Sequence, residues 1–135
     1  MKKDNKGFSL VELIIVIAIM AVLVGLLAPQ YIKYVNNSKV STDISNGQEV
    51  ATVFNVGYAD DLVSQSTYTG NVGDSLPNSK LSMDAWPDSK VTPGTAAWSV
   101  TIGDTGVTEV KLNEKIIWPD PKGDGTESYY YFLHK

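Results

Sequence analysis

The sequence has no cysteine, no arginine and a single histidine. Without cysteine there is no disulfide, no thiol nucleophile and no thiolate metal site. All eleven cations are lysines, so no guanidinium fork is present for bidentate capture of phosphate. His134 has no companion with which to form a metal pair or a triad, and it defines no site. The net charge is −4. Such a balance offers no clustered cationic face for a duplex, and no nucleic-acid partner is expected. A small domain without staples must gain stability elsewhere, and assembly is one route.

What the sequence does have is concentrated near its start. Of the 43% apolar residues in a chain of 135, much of the aliphatic content lies between Leu10 and Ala28. The length suits one domain, and the remainder, being more polar, supports only a modest core. Residues Met1–Gly7 carry Lys2, Lys3 and Lys6 against Asp4, and their removal would take the net charge to −6 before the new amine is counted. Leu13–Ala28 follows as sixteen residues without a charge, and Phe8–Ala28 makes 21 if Ser9 and Glu12 are included. A secretory signal would have roughly 7–15 apolar residues and a small-x-small cleavage site. Here the run continues into Pro29-Gln30-Tyr31, with only the weak Leu26-Leu27-Ala28 to offer. A membrane anchor needs about 20 apolar residues. Lysines before the run and a mostly acidic remainder after it put the leader inside and the C-terminal part outside. Neither reading explains Glu12, because a carboxylate near the start of a membrane helix is costly and usually has a partner.

Lys6-Gly7-Phe8-Ser9-Leu10-Val11-Glu12, then Leu13–Ala28, then Pro29-Gln30-Tyr31-Ile32-Lys33-Tyr34-Val35 resembles the processing site and N-terminal helix of type IV pilins. The resemblance implies that a prepilin peptidase cuts between Gly7 and Phe8 on the cytoplasmic side, and that the new Phe8 amine is methylated. It extends in detail from Lys6 to about Ser38. Cutting there leaves a cationic amine one helical turn from Glu12. In a filament core, Glu12 can then neutralise the Phe8 amine of a neighbouring subunit, and misregistered subunits would bury it unpaired. Gly25 and Pro29 weaken the helix, since proline removes a hydrogen bond and glycine costs roughly 1 kcal/mol against alanine. The family implies that this stretch unwinds in the assembled pilus, although Ala21 stands where many members have glycine.

Val40, Ile44, Gly47, Ala51, Phe54, Tyr58 and Leu62 form one helical face, with Ser41, Asp43, Asn46, Gln48, Glu49 and Asn55 assigned to the other. One helix is therefore predicted from about Phe8 to about Asp60. Ser64–Pro77 reads as a loop or short irregular strands. Ala97–Ile102 and Val107–Leu112 alternate around a four-residue turn, Gly103-Asp104-Thr105-Gly106, and Lys115–Trp118 and Ser128–Leu133 are further strand candidates. The expected fold is α+β, a long helix with a small antiparallel sheet of three or four strands. Its divisions are a leader at 1–7, a membrane or filament-core half at 8–30, an amphipathic half at 31–62 and a head at 63–135.

Trp86-Pro87-Asp88 and Trp118-Pro119-Asp120 share a tripeptide with the acid loop of tyrosine phosphatases, but that chemistry needs a cysteine. Turns anchored by buried tryptophans are expected instead. Asp120, Asp124, Thr126 and Glu127 lie in an acidic, glycine-rich loop of the kind that holds calcium in some pseudopilins. Lys122 falls where an EF-hand would place a ligand and Tyr131 where it would place its glutamate, so a solvated loop is the default and no cofactor is assigned. In Tyr129-Tyr130-Tyr131-Phe132, alternation would put Tyr129 and Tyr131 on one face. No catalytic cluster is found, which argues against a membrane-anchored enzyme or binding protein. The sequence thus predicts a non-enzymatic pilin-like subunit: a single-pass precursor in the cytoplasmic membrane, then part of a surface filament for adhesion, motility or DNA uptake. Its expected partners are the prepilin peptidase, the assembly platform, membrane lipid, other pilins and further copies of itself. A pseudopilin of a secretion or competence system carries the same N-terminal signature and stays open as the alternative.

Overall fold

The computed structural model describes residues 7–121 and Tyr129. One helix, α1 (Leu10–Ala59), precedes four strands: β1 (Thr67–Asn71), β2 (Ala97–Gly103), β3 (Gly106–Leu112) and β4 (Lys115–Trp118). The chain divides into two compact units, Met1–Asn36 and Asn37–Lys135.

In the first unit, every described residue from Gly7 to Tyr34 is exposed. This part of α1 is long and apolar enough to cross a membrane. Leu10–Ala28, at 1.5 Å per residue, spans roughly 30 Å, the thickness of a hydrocarbon core. The helix is continuous through Gly25 and Pro29. Those two residues share one weak point, because the N–H missing from Pro29 is the one that would bond the Gly25 carbonyl.

In the second unit, the strands form an antiparallel sheet in the order β1-β2-β3-β4, and one face of α1 packs on it. The buried helical residues are Val40, Asp43, Gly47, Val50, Ala51, Val53, Phe54 and Gly57. That face is rotated from the predicted one. Ile44, Tyr58 and Leu62 lie at its margin, whereas Asp43, assigned to the polar face, is fully buried. Asn55 also turns toward the sheet, where its Oδ1 accepts the Val107 N–H at 2.8 Å. The rotation follows from where small residues let other chain segments approach. A Cβ on Gly47 would lie 2.7 Å from Ile117 Cγ2, and one on Gly57 would lie 2.4 Å from Leu81 Cδ2.

The helix ends in a Schellman-type cap. Leu62 N–H donates to the Gly57 carbonyl at 2.8 Å and Asp61 N–H to that of Tyr58 at 3.2 Å, with Asp61 left-handed at φ 55°. The β2–β3 turn is tighter than predicted, because Gly103 and Gly106 pair and leave Asp104-Thr105 as the loop. The register shifts after Thr101, where Ile102 pairs with Val107, so Thr108 is the extra residue of a bulge. Val107 and Val110 consequently both point into the core, which simple alternation does not allow. β3 and β4 join through Asn113-Glu114, at φ 49° and 67°, as a type I′ turn requires.

The core centres on Phe54, Trp98, Val100, Val110, Leu112 and Ile117. Trp86 is buried and stacks on Phe54 with ring centroids 5.4 Å apart, while Trp118 is half-buried. The Trp86 indole crosses β1 at Gly70, where a Cβ would come within 2.0 Å of Nε1. The strand candidate Ser128–Leu133 lies outside the described residues apart from Tyr129. Gly70→Ala should destabilise the head by about 1–3 kcal/mol through overpacking. Tryptophan fluorescence during thermal unfolding of the detergent-solubilised chain measures this directly.

Candidate functional site

The chemistry of the apolar half begins at its first turn. Gly7, Phe8 and Ser9 are not helical, and α1 starts at Leu10. Ser9 Oγ accepts the Glu12 N–H at 3.2 Å, and Glu12 Oε2 accepts the Ser9 N–H at 3.2 Å. This reciprocal pair is a capping box, which satisfies donors that a helix start otherwise leaves bare. The negative carboxylate also sits at the positive end of the helix dipole. Ser9 and Glu12 in this spacing, just before an apolar run, form the sequence signature of such a box.

Among the described residues, a Cβ on Gly7 would meet nothing within 4 Å. Phe8 is 85% exposed, so nothing in the described structure covers its ring. Gly25 is equally open. Around and after these positions run the exposed aliphatic side chains of Leu10 to Leu27. Glu12 is the one ionisable group among them.

A second carboxylate is treated in the opposite way. Asp43 is 0% exposed and is met by donors instead of a cation. Ser89 Oγ donates to Oδ2 at 2.6 Å and the Lys90 N–H to Oδ1 at 2.7 Å. The Val91 N–H reaches Oδ2 at 3.4 Å, and the Tyr129 hydroxyl donates to the same oxygen. Ser89 Oγ in turn accepts the N–H groups of Val91 and Thr92 at 3.2 and 3.0 Å. Asp43 therefore ties the loop after Trp86-Pro87-Asp88, and Tyr129, to the helix. Burial pushes the Tyr129 phenol well above its ordinary range, and the hydrogen bond to Asp43 and its charge add to the shift. Nothing in the sequence flagged Asp43, because a lone Asp near Ser41, Thr42, Ser45 and Asn46 on a helix looks solvated.

Of the calcium-loop candidates, Asp124, Thr126 and Glu127 lie outside the described residues, and Asp120 is exposed. Among the described residues no group of three or more His, Cys, Asp or Glu is placed to hold a metal ion.

A capped helix start, one carboxylate and an uncovered aliphatic stretch thus make up the N-terminal end of α1. The prokaryotic N-terminal methylation motif matches residues 2–28. The chain is similar to type IV major fimbrial proteins. It is 31% identical over 108 residues to FimA of Dichelobacter nodosus, an alignment covering 80% of this chain and 63% of that relative. A second FimA from the same organism is 35% identical over 75 residues, 54% of this chain and 47% of its own. The chain thus spans less than two thirds of the length of these relatives. No solved structure matches.

Asp43→Asn places an amide among groups that donate, and should lower the unfolding free energy by about 2 kcal/mol or more. The raised Tyr129 pKa adds a pH dependence with a definite sign. The phenol's contribution is complete below its unfolded value of 10.0 and is lost as pH rises above it. Tyr129→Phe should therefore narrow its deficit against wild type above that pH. Urea denaturation at stepped pH, followed by tryptophan fluorescence, reads both effects.

Proposed function

We propose that this chain is the structural subunit of a type IV pilus. In this reading it enters the cytoplasmic membrane as a single-pass precursor and loses its leader to a prepilin peptidase at Gly7–Phe8. It is then methylated at the Phe8 amine and polymerises through its N-terminal helix into a surface filament. The observation that carries the reading is the uncovered aliphatic half of α1 with Glu12 at its start. Side chains such as Leu10, Val22 and Leu26, each more than 60% exposed, cannot face water along a whole helix. Each buried side chain of this size is worth about 1.5–3 kcal/mol. Lipid covers such a helix before assembly, and copies of the same helix cover it afterwards. Similarity to major fimbrial proteins supports a pilus subunit.

Glu12 gives assembly its register. Lipid tails and leucine side chains are about equally apolar, so moving the helix from membrane to filament gains little from the hydrophobic effect. A carboxylate that exchanges an apolar surround for the ammonium of a neighbouring Phe8 gains more, and only in one alignment. Head-domain turnover of an ester, phosphate or glycoside substrate would replace this structural reading.

Intact mass from cells co-expressing a prepilin peptidase should show a product beginning at Phe8 with one added methyl. A full-length chain, with the peptidase active on a control substrate, would leave an ordinary membrane anchor. Glu12→Gln should be inserted and processed, yet filament yield should fall by about tenfold or more, because an unpaired buried ammonium costs several kcal/mol. Undiminished filaments from sheared cells would rule out the register role.

A further inference from the structure

We propose that Ser9 is a specificity-determining residue for leader removal. Its capping box with Glu12 stops the helix at Leu10 and holds the Gly7–Phe8 bond in open chain, the form a peptidase can bind. This rests on the processing reading above and adds a residue to it.

The two hydrogen bonds of the box use the two groups through which the helix would propagate backward. In a helix extended through Phe8, the Glu12 N–H would donate to the Phe8 carbonyl; instead Ser9 Oγ takes it at 3.2 Å. The Ser9 N–H would donate to the Asn5 carbonyl; instead Glu12 Oε2 takes it at 3.2 Å. The first main-chain bond of the helix runs from the Leu13 N–H to the Ser9 carbonyl at 3.1 Å, which leaves the Gly7 and Phe8 carbonyls upstream of it. Hydrolysis adds water across the Gly7 carbonyl carbon and breaks its bond to the Phe8 nitrogen. Gly7 leaves as a carboxylate and Phe8 as an ammonium. Were the helix continuous here, that carbonyl would be bonded to the Val11 N–H and held against the coil.

Gly7 supports the same outcome. Among the described residues nothing lies within 4 Å of its would-be Cβ, and its φ is not left-handed, so neither packing against them nor backbone conformation demands a glycine. Its remaining local effect is to oppose helix. Upstream, Asp4 and Asn5 are themselves good N-cap types. A chain that loses the Ser9 cap therefore has another start available, one that carries the helix across the scissile bond.

The test uses the full-length chain in membrane vesicles with purified prepilin peptidase, and reads initial cleavage rates by intact mass. Ser9→Ala should be cut about fivefold more slowly or worse, following the loss of a typical N-cap. Ser9→Asn and Ser9→Thr, which keep a capping oxygen, should stay within about twofold of wild type. A peptidase pocket that merely wants a small side chain predicts the reverse order, with alanine the better substrate. Hydrogen exchange on the same chains should show that Ser9→Ala gains amide protection at positions 10 and 11, which precede the first main-chain bond of the wild-type helix. Ser9→Ala cleaved at the wild-type rate, or Ser9→Asn as slow as Ser9→Ala, overturns the inference alone. A wild-type chain left uncut by a peptidase active on a control substrate overturns the processing reading and this inference with it.

Discussion

The constraint on which the N-terminal half depends is a single carboxylate in an aliphatic helix. Glu12 has no cationic side chain within a turn on either side, and burial of a lone charge is prohibitive. Its position at the helix start is what makes it tolerable. There the Ser9 N–H and the unpaired donors of the first turn answer the charge. A similar carboxylate placed mid-helix would have none of this. The same position lies one turn from Phe8, so under the proposed function one location would serve both storage in the membrane and pairing in the filament.

Asp43 shows the alternative treatment of a buried carboxylate. It is answered entirely within the chain by donors from Ser89, Lys90, Val91 and Tyr129. Because every partner is a hydrogen-bond donor of fixed geometry, the site specifies one arrangement of the Asp88–Thr92 loop and adds rigidity in a head without disulfides. Glu12, by contrast, is exposed, and among the described residues its carboxylate accepts the Ser9 N–H. That difference separates a carboxylate built for the fold from one that the proposed function would leave for assembly.

The element types were legible in the sequence because their signals are local. The 16-residue uncharged run, the helical stripe from Val40 to Leu62, and the strand patterns at Ala97–Ile102 and Lys115–Trp118 each need only a few neighbours to interpret. What escaped depends on the far side of a contact. Asp43 reads as solvated until Ser89 and Tyr129, 46 and 86 residues away, are brought to it. The bulge at Thr108 is invisible because its cause is register against β2. The exact helical face was set by Gly47 and Gly57, whose small size matters only once Ile117 and Leu81 lie against them. At the N-terminus the omission was of another kind. Both halves of the capping box were present as Ser9 and Glu12, but an unusual charge drew the interpretation away from the ordinary helix-capping role it also performs.

These two demands on Glu12 need not compete. The capping box is a hydrogen-bonded arrangement of about 1 kcal/mol, whereas in the proposed filament leaving the carboxylate or a neighbouring ammonium unpaired would cost several times that. A contact of the first size is strong enough to fix where an isolated helix begins, and weak enough to yield when a neighbouring amine arrives. Ser9 Oγ can still cap the Glu12 N–H after the carboxylate turns away, because that bond uses the backbone of residue 12 and not its side chain. Under the proposed function the helix start would therefore survive the change of partner, and precursor and filament subunit would share one helix while their carboxylate is answered in two ways.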